Sequence, residues 1–134
     1  MRLHFTILGR PRPKKNSMRI VRTANGKPFL LPSQANVSWT NDAVRQLRDQ
    51  WQSQRGRLPA LDAPLSVTYR FYLVNRRSEA DADNLMAAVN DALQKAGVIA
   101  DDKLIRCGVF SKSYDADHPR TELVITAAIA EGAA

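Results

Sequence analysis

Cysteine is nearly absent: Cys107 is the single example. An internal disulfide is therefore impossible, no cysteine-rich zinc cluster can be built, and the chain reads as a protein of the reducing cytoplasm. Histidine is almost as sparse. His4 reads as a strand residue facing water and His118, beside Pro119, as a turn residue. Neither has a cysteine or a second histidine nearby to suggest zinc. No apolar run approaches the roughly 18 residues of a membrane span. The opening MRLHFTIL is strand-like and lacks the layout of a signal peptide. There is no glycine loop of the phosphate-cradling kind, no Ser-His-Asp set, no internal repeat and no low-complexity linker. These absences point away from membranes and from small-molecule cofactors, and leave one domain over residues 1–134.

What is abundant is positive charge. Twenty Lys and Arg against thirteen Asp and Glu give +7, a balance that favours a polyanionic partner because each neutralised phosphate releases counterions. The basic residues gather in Arg10-Pro-Arg-Pro-Lys-Lys15, at Arg19 and Arg22, along Arg45 to Arg57, and at Arg76-Arg77. The acids concentrate in one later stretch, Glu79 to Asp102.

Alternation of Leu3, Phe5 and Ile7 predicts a strand over 2–8. Two short strands, 18–22 and 27–31, flank Asn25-Gly26 as a hairpin. Ser33 is placed to cap a helix running to about Gln54, with Val37, Val44, Leu47 and Trp51 as its apolar stripe. Leu65, Val67, Tyr69, Phe71 and Leu73 alternate with polar residues as a strand. Leu85, Ala88, Val89, Ala92, Leu93 and Ala96 fall at helical spacing over 83–96, with Gly97 where a helix stops. Two further strands, about 104–113 and 121–130, follow, the first burying Cys107. The order β-β-β-α-β-α-β-β predicts an α+β domain, a mixed or antiparallel sheet packed with two main helices.

Asp81-Ala-Asp83 stands where a strand gives way to a helix. If this stretch is still extended, side chains two apart project to one side. Two carboxylates would then converge as hard cations such as magnesium prefer. Asp101-Asp102 follows the helix. From residue 84 to 96 a helix carries the chain about 18 Å, and the six steps to residue 102 span at most roughly 20 Å. Asp102 therefore returns to Asp81 and Asp83 only if the chain runs back nearly straight. Otherwise the helix is shorter, or the third carboxylate comes from a partner subunit. Set against this, an Asp beside a helix start is often no more than a cap.

The run Asp81-Ala-Asp83-Asn84-Leu85, then Asn90-Asp-Ala-Leu-Gln-Lys-Ala-Gly-Val-Ile99, then Asp101-Asp102, resembles the signature of the RusA family of Holliday-junction resolvases. The likeness is strong over residues 74–112 and looser elsewhere. It implies that Asp81, Asp83 and Asp102 bind magnesium, with manganese as a substitute, at a centre for phosphodiester cleavage. It also implies that Lys112 is a catalytic basic residue and that the protein is a homodimer nicking branched DNA, the four-way junction, in recombination and repair. Arg12, Lys14, Lys15, Arg76 and Arg77 are the expected backbone-phosphate contacts, which orient DNA without reading sequence. Asp101 is expected to support the acids, and parity along a strand would put Lys112 on the face of Asp102. One departure stands out: four residues after Asp83 the family carries a catalytically important lysine, and here the position is Ala87. The alternative expectation is therefore a branched-DNA-binding protein that does not cut.

Overall fold

The computed structural model describes residues 1–14, 18–77 and 79–128. The elements follow in the order β1 (Arg2–Leu8), β2 (Met18–Arg22), β3 (Pro28–Pro32), α1 (Gln34–Arg55), β4 (Leu65–Leu73), α2 (Ala82–Lys95), a 3₁₀ turn (Asp102–Leu104), β5 (Ile105–Tyr114) and β6 (Arg120–Ala127). Four strands form one mixed sheet in the order β1-β6-β4-β5, and β2 and β3 make a separate hairpin. Strands β4 and β5 are parallel with α2 as their crossover, whereas β6 runs antiparallel to both β1 and β4. The expected α+β class, the two long helices and the hairpin are all present, each boundary within about three residues of its sequence expectation.

The core lies between one face of the sheet and the two helices. Period-two alternation turns Leu65, Val67, Tyr69, Phe71 and Leu73 inward from β4, and Leu3, Phe5 and Ile7 from β1. Leu85, Val89, Ala92 and Leu93 meet them from α2, and Trp39, Ala43, Leu47 and Trp51 from α1. Fully burying side chains of this size is worth about 1.5–3 kcal/mol each. The stripe of α1 is shifted from the sequence expectation: Val37 is exposed, and Trp39 and Ala43 take the inward positions. Ser33 caps this helix as expected, its hydroxyl accepting from the Asn36 N–H at 3.1 Å.

The two edges of the sheet are treated differently. Along β1, three glutamines at four-residue spacing on α1 act as a surrogate strand. Gln50 accepts from the Thr6 N–H and donates to the Thr6 carbonyl, both at 2.8 Å. Gln46 does the same for Leu8, and Gln54 for His4. Four helical residues rise about 6 Å, close to the two-residue strand repeat of about 6.8 Å, so a ladder of long amides can follow a strand. At the opposite edge, β5 pairs only with β4 among the described strands. Val109, Phe110 and Tyr114 are exposed there. Cys107 is exposed as well, against the expectation of burial, because it lies on an edge strand, level with Ser66 on the face of the sheet turned away from the helices.

Candidate active site

Helix α2 begins one residue earlier than the extended reading of Asp81-Ala-Asp83 required. Asp81 is the N-cap residue, with φ −62° and ψ 144°, and Asp83 already lies in the first helical turn. Asp81 takes the capping backbone geometry, yet its carboxylate makes no capping hydrogen bond. Both side chains are exposed, at the positive end of the helix dipole, where negative charge is favoured. Ala87, one turn further on, is exposed too and offers the site no ammonium.

Two side chains of β5 hold the approach to this corner. The Lys112 ammonium donates to the Ala80 carbonyl at 2.9 Å and stands 4.0 Å from the Glu79 carboxylate. The Tyr114 hydroxyl donates to that same carboxylate at 2.7 Å. Lys112 and Tyr114 are two apart, so they share the helix-side face of the strand, and together they fix the backbone leading into Asp81. Glu79 and Tyr114 carried no sequence motif; the strand parity that links Tyr114 to Lys112 was the one available signal.

The basic loop after β1 reaches the same corner. A pocket of about 250 Å³ is lined on one side by Arg10 and Arg12 and on the other by Asn75, Glu79 and Ala80. The buried Asn36 of α1 anchors that loop by donating its side-chain N–H to the Arg12 carbonyl at 2.6 Å. Arg76 and Arg77 are exposed in the turn after β4, and Lys14 is exposed at the end of the loop. Lys15 lies outside the described residues.

Asp102 is elsewhere. Gly97, with φ 78°, ends α2 in a Schellman turn: its N–H donates to the Gln94 carbonyl and that of Val98 to the Leu93 carbonyl. The chain then pairs with Leu61, the Leu61 N–H donating to Val98 and the Ala100 N–H to Leu61, both at 2.9 Å. The Asp102 N–H donates to the Gln94 side chain at 2.9 Å. Gln94 is eleven residues beyond Asp83, about 16 Å along the helix. The nearly straight return that would bring Asp102 back is therefore not taken. The parity expectation fails with it: Asp102 sits in a 3₁₀ turn before β5, so strand alternation does not relate it to Lys112. Among the described residues, no three His, Cys, Asp or Glu side chains come close enough to hold one metal ion.

Around Asp102 the chemistry is local. Asp101 caps the 3₁₀ turn by accepting from the Lys103 N–H at 2.8 Å. That bond, foremost among several causes, holds its carboxyl below the ordinary range. The Tyr69 hydroxyl donates to Asn90 at 2.6 Å. Burial pushes the Tyr69 phenol up to about 12, the Asn90 bond lowering it and the nearby Asp102 charge raising it.

The family model described as endodeoxyribonuclease RusA matches residues 9–126. The chain belongs to the RusA family. A relative named crossover junction endodeoxyribonuclease RusA, from Aquifex aeolicus (strain VF5), is 38% identical over 95 residues, covering 71% of this chain and 68% of that protein. The RusA match takes in both ends of α2 and the basic loop, so every candidate site residue lies within it.

Proposed function

We propose that this chain is a magnesium-dependent endodeoxyribonuclease that resolves four-way DNA junctions by paired nicking, as a homodimer. The observation that carries the reading is the corner at the start of α2. There two exposed carboxylates, neither used for capping, stand beside a pocket lined by Arg10 and Arg12. An ordinary cap would spend the Asp81 side chain on the helix. RusA membership, and the name of the Aquifex relative as a crossover junction endodeoxyribonuclease, support the reaction class and the branched substrate.

The carboxylates are the right chemistry for magnesium, which takes oxygen ligands and keeps several waters. The set of Asp81, Asp83 and Asp102 nevertheless does not gather within one chain. The protein's own groups have separable tasks in this reading. Arg12, Lys14, Lys15, Arg76 and Arg77 hold backbone phosphates and orient the junction. Lys112 positions the Ala80–Asp81 backbone, and an ammonium has three donors, so it retains capacity for a phosphate oxygen beside the acids. Asp101 is a positioning residue that fixes the turn carrying Asp102.

A nicking assay on a labelled synthetic four-way junction, with and without magnesium, tests the proposal. Wild type should make magnesium-dependent paired nicks and prefer the junction to linear duplex or RNA of matched sequence. Asp81→Asn should lose cutting by several orders of magnitude and keep junction binding. Equal cutting by the variant would overturn the assignment. The exposed Ala87, where an ammonium is missing, favours a second reading, a junction binder without cleavage. Tight binding by the wild type with no nicks at any magnesium concentration would establish that reading instead.

A further inference from the structure

We propose that Tyr114 is a positioning residue for the Lys112 ammonium. Its hydroxyl holds the Glu79 carboxylate back from Lys112, which leaves the ammonium available to a backbone phosphate of the DNA. The inference rests on the nuclease reading for the phosphate, but the arrangement of the three side chains is read from geometry.

Lys112 and Tyr114 stand two apart at the end of β5 and face the same way, about 6.8 Å from one another along the strand. Glu79, in the turn that leads into α2, meets both. Its Oε2 accepts from the Tyr114 hydroxyl at 2.7 Å, a length proper to a charge-assisted bond. That same oxygen is 4.0 Å from the Lys112 Nζ, too far for a hydrogen bond. The ammonium donates instead to the Ala80 carbonyl at 2.9 Å. An ammonium and a carboxylate in contact settle at about 2.8 Å, so a shift of roughly 1 Å would bring the pair together. The Tyr114 bond anchors Oε2 short of that contact.

The distance matters because both groups are half-buried: 22% of the Lys112 side chain and 27% of the Glu79 side chain are exposed. Water and salt screen such a pair less than two surface ions. Direct contact would occupy a second of the three ammonium donors. It would also cancel the positive charge where a negative phosphate has to arrive. Carboxylates already crowd this corner, with Asp81 and Asp83 exposed at the start of α2. Ala87, one turn on, brings no ammonium to offset them. Arg10 and Arg12 line the facing wall of the adjoining pocket and approach from the other side. Glu79 is therefore useful as an anchor for the Tyr114 ring and harmful as a partner for Lys112. The hydroxyl separates the two roles, and a phenylalanine at position 114 would keep the ring and free the carboxylate.

Single-turnover nicking of the labelled four-way junction at saturating magnesium tests the inference, with junction Kd measured alongside. Removing a preorganised donor from a reacting centre costs about 10²-fold or more, and a quenched donor costs part of that, so Tyr114→Phe should cut about tenfold more slowly. Its junction Kd should stay at the wild-type value, since the lesion acts on the rate. The double variant Glu79→Gln with Tyr114→Phe removes the charge that was set free and should recover most of the lost rate. A merely structural brace predicts the reverse, because the second lesion would add to the first. Tyr114→Phe cutting at the wild-type rate overturns the proposal, as does a double variant no faster than the single one. The nitrogen-15 spectrum of the lysine ammonium groups, with the Lys112 signal assigned by its loss in Lys112→Arg, reads the arrangement without cleavage. That signal should shift in Tyr114→Phe and return in the double variant; a signal that stays in place overturns the proposal. A wild type that cuts no junction refutes the nuclease reading, while the ammonium spectrum still decides whether Tyr114 keeps Glu79 from Lys112.

Discussion

Replacing Gln50 by alanine tests whether the amide ladder on α1 functions as a strand. The substitution removes two bonds of 2.8 Å, one to each backbone group of Thr6. A typical internal hydrogen bond contributes about 1 kcal/mol net. Thr6 is half-buried, so water replaces its lost partners incompletely, and the expected loss is about 1–2 kcal/mol. For a chain of this size each kcal/mol moves Tm by about 3–5 °C, which gives a fall of about 4–8 °C. Urea and thermal unfolding of the variant should be read against Gln52→Ala, an exposed glutamine on the same helix, expected within about 0.5 kcal/mol of wild type. Gln50→Ala indistinguishable from Gln52→Ala would refute the reasoning: the ladder would then be decoration on a strand that water satisfies equally well. If the ladder does seal the edge, removing Gln46, Gln50 and Gln54 together should also produce new self-association, visible by light scattering, through the freed β1 edge.

Three more outcomes are expected. The neutral Tyr69 phenol is favoured in the folded state, its pKa raised from 10.0 to about 12. Its contribution is therefore present below pH 10 and lost as pH rises from 10 towards 12. Tyr69→Phe should remove the late component of the tyrosinate absorbance titration, and an unchanged titration would disprove the burial account. Gly97→Ala should cost about 1 kcal/mol in urea unfolding, because a methyl there meets nothing within 4 Å and the cost lies in the φ of 78°; no loss would mean the Schellman turn is not needed. Alanine at Arg12, Arg76 or Arg77 should lower the slope of log junction affinity against log salt by about 0.9 per phosphate contact removed; an unaltered slope would take that residue out of the DNA surface.

The readable parts of this fold were those decided locally. Alternation in β4, helical spacing in α2, the Ser33 cap and the stop at Gly97 each depend on neighbours a few residues away, and each is found where the pattern placed it. The errors concern where an element sits among the others. Cys107 was expected to be buried because its strand looks like any other; its exposure comes from edge position, which is set by sheet order. Val37 lost its inward place to Trp39 and Ala43 because the direction in which α1 faces the sheet is a tertiary choice. The glutamine ladder was visible as a four-residue repeat of Gln46, Gln50 and Gln54, but nothing in that repeat names β1 as its partner. The acids divide in the same way. Asp81 and Asp83 were legible as a pair because they lie two positions apart, whereas the place of Asp102 depends on the bridge that Leu61, far earlier in the chain, makes to Ile99.

The Schellman turn at Gly97, the Leu61 pairing and the Lys112–Ala80 bond clamp both ends of α2. This makes the helix a spacer of fixed length. Inserting or deleting a single residue within Ala82–Lys95 would rotate everything downstream by about 100° and shift it about 1.5 Å, scrambling the inward-facing row of Leu85, Val89, Ala92 and Leu93. Length variation among relatives should therefore be tolerated at the exposed tip between β2 and β3 and excluded from this segment. A chain engineered with a longer α2 would need its Leu61 arm and β5 extended in step.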